Sequence, residues 1–355
     1  MAKKIVVGLL FGGRSAEHDV SLVSAAAVAS NLDRKKYNVV SIYVTRNGGW
    51  TLVDSPEAAA RNPDRSKGLS FLPWTGGPRP KVPGIDIYFP VLHGPFGEDG
   101  TIQGLFEMAG APYVGAGVPA SAAGMDKAVS KTLFRARGLP VVRHLVILED
   151  EWTDDRTGVL NQIRETFDPP LFVKPANLGS SVGITKVKRS DRTARAVETA
   201  FRYDRKILVE EGIAGREIEC SVLGHREIRA SLPGEVIPYR EFYDYRDKYI
   251  DGKTRFAVPA DLTPAVSRRI RSLAVEAFRA VDGSGMARVD FFLETATGKI
   301  FVNELNTIPG FTAISMYPKL WEVSGLSFPR LLDALIGLGF ERHRGRKSCL
   351  ERTGG

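Results

Sequence analysis

In the first third of the chain, short apolar runs alternate with segments whose apolar positions recur every three or four residues. Lys4–Leu10, Val39–Val44 and Ile85–Leu92 read as strands, and Ser21–Leu32 and Thr101–Ala109 as helices. This alternation predicts a parallel α/β unit, with ligands at its strand ends. Residues 54–84 are rich in Pro, Gly and charge, which predicts a loop or mobile insertion. A boundary falls near Gly115–Pro119, followed by one helix over Met125–Arg137 that Gly138 and Pro140 end. Strands over Pro170–Lys174 and Val182–Val187 flank a glycine-serine loop. A helix over Asp191–Tyr203 and a strand over Lys206–Glu210 then complete what reads as antiparallel sheet plus helices. Beyond Gly212 the pattern gives a strand-like Glu217–Leu223 and a helix over Pro264–Val281. Strands over Met286–Glu294 and Lys299–Asn306 follow, and then a helix near Phe328–Leu338. The tail after Phe340 reads as frayed. The expected architecture is α/β, α+β overall, in three domains: 1–118, 119–211 and 212–355.

Composition narrows the class without naming it. The 355 residues are 43% hydrophobic and 25% charged, which suits a globular chain of two or three domains at roughly 100–200 residues each. Two cysteines, Cys220 and Cys349, with no CxxC or Cys/His spacing argue against a disulfide framework or a zinc site and for a reducing cytoplasm. The apolar run Ile5–Phe11 is too short for a membrane span. The net charge of +8 is spread along the chain without a nucleic-acid-binding signature. Nucleic acid is therefore a disfavoured partner, while phosphorylated or carboxylate ligands are permitted.

The richest segment is Arg288-Val-Asp290-Phe-Phe292, joined through the turn Thr295–Gly298 to Asn303-Glu304-Leu-Asn306. Alternate strand residues share a face. A hairpin centred near Thr297 therefore sets Asp290 opposite Glu304 and Arg288 opposite Asn306. Two carboxylates, an amide oxygen and a cation then converge, and the all-oxygen set suits Mg²⁺. A surface hairpin whose charges pair among themselves fits the same spacing.

Lys174 precedes a small-residue turn, Gly179-Ser180-Ser181-Val-Gly183, able to present N–H groups and hydroxyls to phosphate; without GK[ST] it is not a Walker A loop. The loop Gly12-Gly13-Arg14-Ser15-Ala16-Glu17-His18-Asp19 leaves the first strand and leads into a helix, where it can bind an anion or simply cap. His93 lies in a similar strand-to-helix loop, in which a lone histidine is more often structural. Phe242–Tyr249 concentrates aromatics and charges in a loop that either closes over a site or packs as a surface cluster.

Taken together, the segments GGRSAEHDVS, LHGPFGEDGTIQG, MDKAVSK, VKPANLGSSVGITKV, EIECSVLG, FYDYRDKY, RVDFFL and VNELNTIPGFTAISMYPKLW closely resemble the D-alanine–D-alanine ligases of the ATP-grasp superfamily, from Lys4 to about Leu338. The resemblance implies a three-domain ATP-grasp fold whose central and C-terminal domains grip ATP, with two Mg²⁺ (or Mn²⁺) ions held by Asp290, Glu304 and Asn306. It implies phosphate or nucleotide contacts from Lys127, Lys174, Ser180 and Ser181, and an adenine and ribose pocket from Glu210, Ile213 and Glu217. By the same resemblance, Glu17 holds the amino group of the first D-alanine with His93 near that subsite. Lys248 and Ser315 contact the second carboxylate, and Ser180 and Tyr249 form a network to Glu17. Arg288 and the Gly310 N–H then meet the oxyanion. The implied reaction runs through an acyl phosphate to D-alanyl-D-alanine, in a cytoplasmic homodimer. Tyr249 favours the dipeptide over a D-lactate depsipeptide, whereas the charged pair Arg246 and Asp247 departs from the family pattern. An ATP-grasp ligase with other substrates and a non-catalytic nucleotide sensor are the competing readings.

Overall fold

The computed structural model describes residues 3–61, 84–239, 254–312 and 314–353. The N-terminal sheet has the order β3-β2-β1-β4, built from β1 (Ile5–Gly12), β2 (Tyr37–Val44), β3 (Trp50–Val53) and β4 (Ile87–Pro90). β1 runs parallel to both β2 and β4, as the alternating pattern predicts, and β3 closes one edge antiparallel to β2. The helix His18–Asn31 packs on this sheet and begins three residues before the expected start. The Pro- and Gly-rich stretch includes a short helix, Pro56–Arg61, before it leaves the described residues.

A second sheet, order β5-β8-β6-β7, is antiparallel throughout: β5 (His144–Leu148), β6 (Leu171–Pro175), β7 (Thr185–Val187) and β8 (Lys206–Glu211). Ile147, Val173 and Val209 of this sheet pack against Ile163 and Val197 from helices Arg156–Thr166 and Thr193–Phe201. The third sheet, order β12-β11-β9-β13-β14 with β10 also on β9, comprises β9 (Gly215–Gly224), β10 (Ile228–Ala230), β11 (Gly234–Ile237), β12 (Arg255–Ala257), β13 (Gly285–Glu294) and β14 (Ile300–Asn306). The helix Pro264–Ala280 buries Ile270, Leu273, Ala274, Ala277 and Phe278. That i, i+3, i+4, i+7, i+8 spacing makes one apolar stripe, and Phe278 reaches the core under β9 and β13.

Three expectations need correction. The helix expected over Met125–Arg137 is present as Lys127–Ala136, but another helix, Val118–Met125, precedes it where only a domain boundary was expected. Asp126 separates them in an extended conformation, and its carboxylate accepts the N–H groups of Ala128 and Val129 at 3.0 and 3.1 Å, an N-cap inside the apolar pattern. The tail after Phe340 is not frayed through its first turns, because a continuous helix runs over Phe328–Thr353. There the Arg342 guanidinium sits 3.7 Å above the Tyr113 ring, and Arg346 meets Glu107 at 2.6 Å. Finally, β5 and the helices Glu149–Asp154 and Arg156–Thr166 occupy a stretch where no element was expected.

The largest core joins the two ends of the chain. Val7, Leu9 and Phe89 of the first sheet pack with Phe311, Tyr317, Leu331, Leu335 and Ile336. Among the described residues no single helix is long and apolar enough to cross a membrane; the bent pair Met316–Val323 and Phe328–Arg346 carries much of this core.

Candidate active site

A cleft opens between the second and third sheets, and strand registers dictate its polarity. On β13, Arg288, Asp290 and Phe292 share a face; Asp290 pairs with Glu219 of β9 and Phe292 with Glu217. One end of the cleft is therefore apolar, lined by Phe172, Ile213, Phe291 and Phe292, with Glu217 beside them. The other end, about 13 Å along the strand, holds Lys127, Arg288, Asp290 and Glu304.

β13 and β14 pair with Asp290 opposite Glu304 and Arg288 opposite Asn306, the register that the hairpin spacing predicts, with a bulge after Asp290 that spares it. Arg288 grips Asp290 through both guanidinium branches at 2.7 and 2.6 Å and reaches Glu219 at 3.2 Å. Burial opposes its charge, but Asp290 and Glu219 outweigh burial and hold Arg288 well above the usual arginine range. The Asn306 amide donates to Asp290 at 3.2 Å, and Glu304 lies 3.4 Å from Lys127. Among the described residues no three His, Cys, Asp or Glu side chains are arranged so as to hold a metal ion by themselves. The donor set is two carboxylates and an amide oxygen, hard ligands that fit Mg²⁺ and not a softer metal.

Lys127 also donates to Leu178 O at 2.7 Å, tying the glycine-serine loop to the hairpin. In that loop Ser180 and Ser181 both adopt left-handed φ, 52° and 59°, a conformation costing about 1 kcal/mol or more per non-glycine residue. The Ser180 hydroxyl donates to Glu17 Oε1 of the N-terminal loop. Gly94 and Gly179 crowd the other oxygen: a Cβ on either would lie 2.8 or 3.1 Å from Glu17 Oε2. Three segments distant in sequence thus converge on one carboxylate.

His93 is buried beside this carboxylate's loop. Its Nδ1 meets Ile308 O at 3.0 Å and Glu98 at 3.4 Å, and its Nε2 meets Ser24 Oγ at 3.0 Å. Burial disfavours the imidazolium, yet the Glu98 hydrogen bond and charge raise His93 above its ordinary value. Glu98 is itself raised, by burial first and by Glu17 next, with His93 opposing. Ser24 also accepts the Phe311 N–H at 3.3 Å, so the segment carrying Gly310 is pinned through His93 and Ser24. A Cβ at Gly310 would come within 2.6 Å of Ser315 Oγ, which caps Thr312 N at 3.0 Å.

Lys174, on β6, points to Glu210 of β8 at 2.6 Å, and Lys131 meets the other Glu210 oxygen at 3.2 Å. Burial alone would raise Glu210, but the two lysines bring it down to about 2. Lys248 and Tyr249 lie outside the described residues, as does the rest of the Phe242–Tyr249 segment. Glu98, Lys131, Phe172 and Glu219 were absent from the sequence-based set. Three of them carried a signal: Lys131 is one helical turn after Lys127, Phe172 shares a strand face with Lys174, and Glu219 shares one with Glu217.

Two antiparallel sheets closing on a cleft with a lysine-bearing glycine-serine loop on one wall and a paired-carboxylate hairpin on the other define an ATP-grasp enzyme. Residues 6–116 match the family model described as D-ala D-ala ligase N-terminus, and residues 133–337 match D-ala D-ala ligase C-terminus. The chain belongs to the D-alanine–D-alanine ligase family, and it is a ligase. It is 47% identical to the D-alanine–D-alanine ligase of Heliobacterium modesticaldum over 96% of each chain, and 48% identical to that of Solibacter usitatus over 96% of this chain and 97% of the other. Among solved structures it is similar to the D-alanine–D-alanine ligase from Coxiella burnetii, with TM-score 0.88 and 39% identity over 99% and 98% of the two chains. It is also similar to the VanG D-Ala:D-Ser ligase from Enterococcus faecalis, with TM-score 0.85 and 36% identity over 95% and 100%.

Proposed function

We propose that the protein joins two D-alanines at the expense of ATP, through a D-alanyl phosphate, for peptidoglycan precursor synthesis. The observation that carries this reading is the Ser180–Glu17 contact, which puts an amine-holding carboxylate against the phosphate loop. The adenine lies at the apolar end of the cleft near Phe172, Ile213 and Glu217, and the phosphates lie between Lys127, Lys174 and the loop of Ser180 and Ser181. Asp290, Glu304 and Asn306 would hold two Mg²⁺ or Mn²⁺ ions, which when bound would add positive charge at the phosphates. Asp290 would then share its carboxylate with Arg288, and Glu304 with Lys127.

Phosphoryl transfer needs mainly alignment and charge neutralisation, so the lysines serve without a covalent protein nucleophile. Glu17 fixes the first D-alanine's ammonium while its carboxylate takes the γ-phosphate and releases ADP. The second D-alanine, its carboxylate on Ser315 and Lys248, attacks with its amine, and phosphate leaves. Arg288 and the Gly310 N–H stabilise the oxyanion, a preorganised donor being worth about 3–4 kcal/mol. The Ser180–Glu17 pair assists the proton transfer, a role that the family resemblance extends to Tyr249. The protein acts as a cytoplasmic homodimer.

The test is ADP and phosphate release with D-alanine, L-alanine, D-alanine plus D-lactate and D-alanine plus D-serine, with products identified by mass. D-alanyl-D-alanine from D-alanine alone supports the reading. A dominant mixed product moves the second-substrate assignment toward that of the D-Ala:D-Ser relative, and folded, ATP-binding protein that releases no phosphate overturns the ligase reading.

A further inference from the structure

The Glu210 cluster holds one more charge than a strut requires. Lys174 already satisfies Glu210 at 2.6 Å, and those two charges cancel. Lys131 is added on the far side of the carboxylate with no exposed surface, 3.2 Å from Oε1 and without a hydrogen bond's geometry. A second buried ammonium costs desolvation and repels Lys174, and burial does pull Lys131 below the ordinary lysine range. Beside these charges the same helix is apolar: Ala128, one turn earlier, packs with Ala176 and Leu208. A methionine of similar length would fill such a place at less cost if packing were the only demand. The extra positive charge is what distinguishes lysine there.

The consequence lies in the charge count. With Lys131 present, two ammoniums share one carboxylate and the cluster carries a net positive charge, whose open side is Lys174 on the cleft wall. Without Lys131, Glu210 would cancel Lys174. We infer that Lys131 is a positioning residue for the nucleotide phosphates: by occupying one oxygen of Glu210 it frees the charge of Lys174 to act on them. This rests on the reading that the cleft takes ATP, and Lys131 touches neither nucleotide nor metal.

The experiment measures dissociation constants of adenosine, AMP, ADP and ATP, with Mg²⁺, by calorimetry on the full chain, for wild type, Lys131→Met, Glu210→Gln and the double variant. Lys131→Met weakens ATP by at least about tenfold, the effect of removing a charge a few ångströms away at low dielectric. It leaves adenosine within about twofold, with AMP and ADP graded between. In the double variant Lys174 again stands uncancelled, and the ratio of ATP to adenosine affinity returns toward the wild-type value, since the loss of Glu210 from the proposed adenine pocket bears on both ligands. A pocket merely deformed by the substitution would weaken all four ligands alike and would not be rescued, and either result overturns the inference, as does unchanged ATP binding. Should Lys131→Met fail to fold, Glu210→Gln decides alone: removing the anion keeps ATP at least as tight relative to adenosine, and a selective loss of ATP overturns the inference. Wild type that binds no ATP refutes instead the reading of the cleft.

Discussion

At the residue scale, three side chains carry sharp expectations. Arg288 compensates two buried carboxylates, so Arg288→Met leaves Asp290 and Glu219 facing each other. Removing one partner of such a buried set costs about 3–5 kcal/mol of stability, and losing the proposed oxyanion donor lowers turnover by about 10²–10³; thermal melts and ADP-release assays read the two effects separately. Ser180→Ala removes the hydroxyl that meets Glu17 while keeping the strained backbone, so dipeptide formation falls and the melting temperature changes little. Glu210 ionises near pH 2 when folded, well below its usual 4.5. A depressed carboxylate stabilises the fold above its unfolded value and loses that contribution as pH falls through the folded one. The loss between about pH 4.5 and 2 amounts to roughly 3 kcal/mol, and Glu210→Gln abolishes this part of the acid-melting curve.

At the element scale, the C-terminal helix is the clearest case for experiment. Truncation after Glu341 removes the Arg342 contact with the Tyr113 ring and carbonyl and the Arg346–Glu107 pair. Cation–π, hydrogen-bond and exposed-pair contributions together predict a loss of about 1–3 kcal/mol. The Michaelis constants for ATP and D-alanine stay unchanged, because none of these residues reaches the cleft; a melt alongside a steady-state assay checks both.

The elements also show what a sequence can express. The pairing of Asp290 with Glu304 was legible from the alternation of strand faces, although the turn-side pairs Phe291–Val302 to Leu293–Ile300 are offset by one residue and a bulge restores the phase at the site. The helix Pro264–Ala280 was legible because its apolar stripe is regular. The helix Val118–Met125 was not, since Gly115, Gly117 and Pro119 mark its start as a boundary. Nor was β5, whose Val146 and Leu148 are 41% exposed and so blur the alternation that marks a strand. The same limit applies to the site. Residue types at strand spacing pointed to Asp290, Glu304 and Lys174, but whether Lys131 faces solvent or a buried carboxylate depends on how a helix rolls onto a sheet from another part of the chain. From spacing alone Glu17 could be read only as a loop carboxylate; its contact with Ser180, 163 residues away, was expected from the family resemblance and from nothing else in the chain.

At the scale of the whole molecule, the cleft lies between two sheets and the Glu17 loop proposed to hold the amine leaves a third, so bound ligands would bridge all three. ATP present at 100 times its dissociation constant stabilises the folded protein by about 2.7 kcal/mol, seen as a rise in melting temperature that adenosine at the same multiple reproduces and D-alanine increases further. The shared core has a different consequence, in time. The first sheet contributes Val7, Leu9 and Phe89 to a cluster completed only by Phe311, Tyr317, Leu331 and Leu335. A ribosome adding roughly 5–20 residues per second makes the last of these some 10–50 s after the first sheet's strands emerge. During that interval the nascent N-terminal third has an uncovered apolar flank, so stalled chains ending before about residue 310 should be cut rapidly by protease in β1–β4, while chains extended past residue 340 and clear of the exit tunnel should resist.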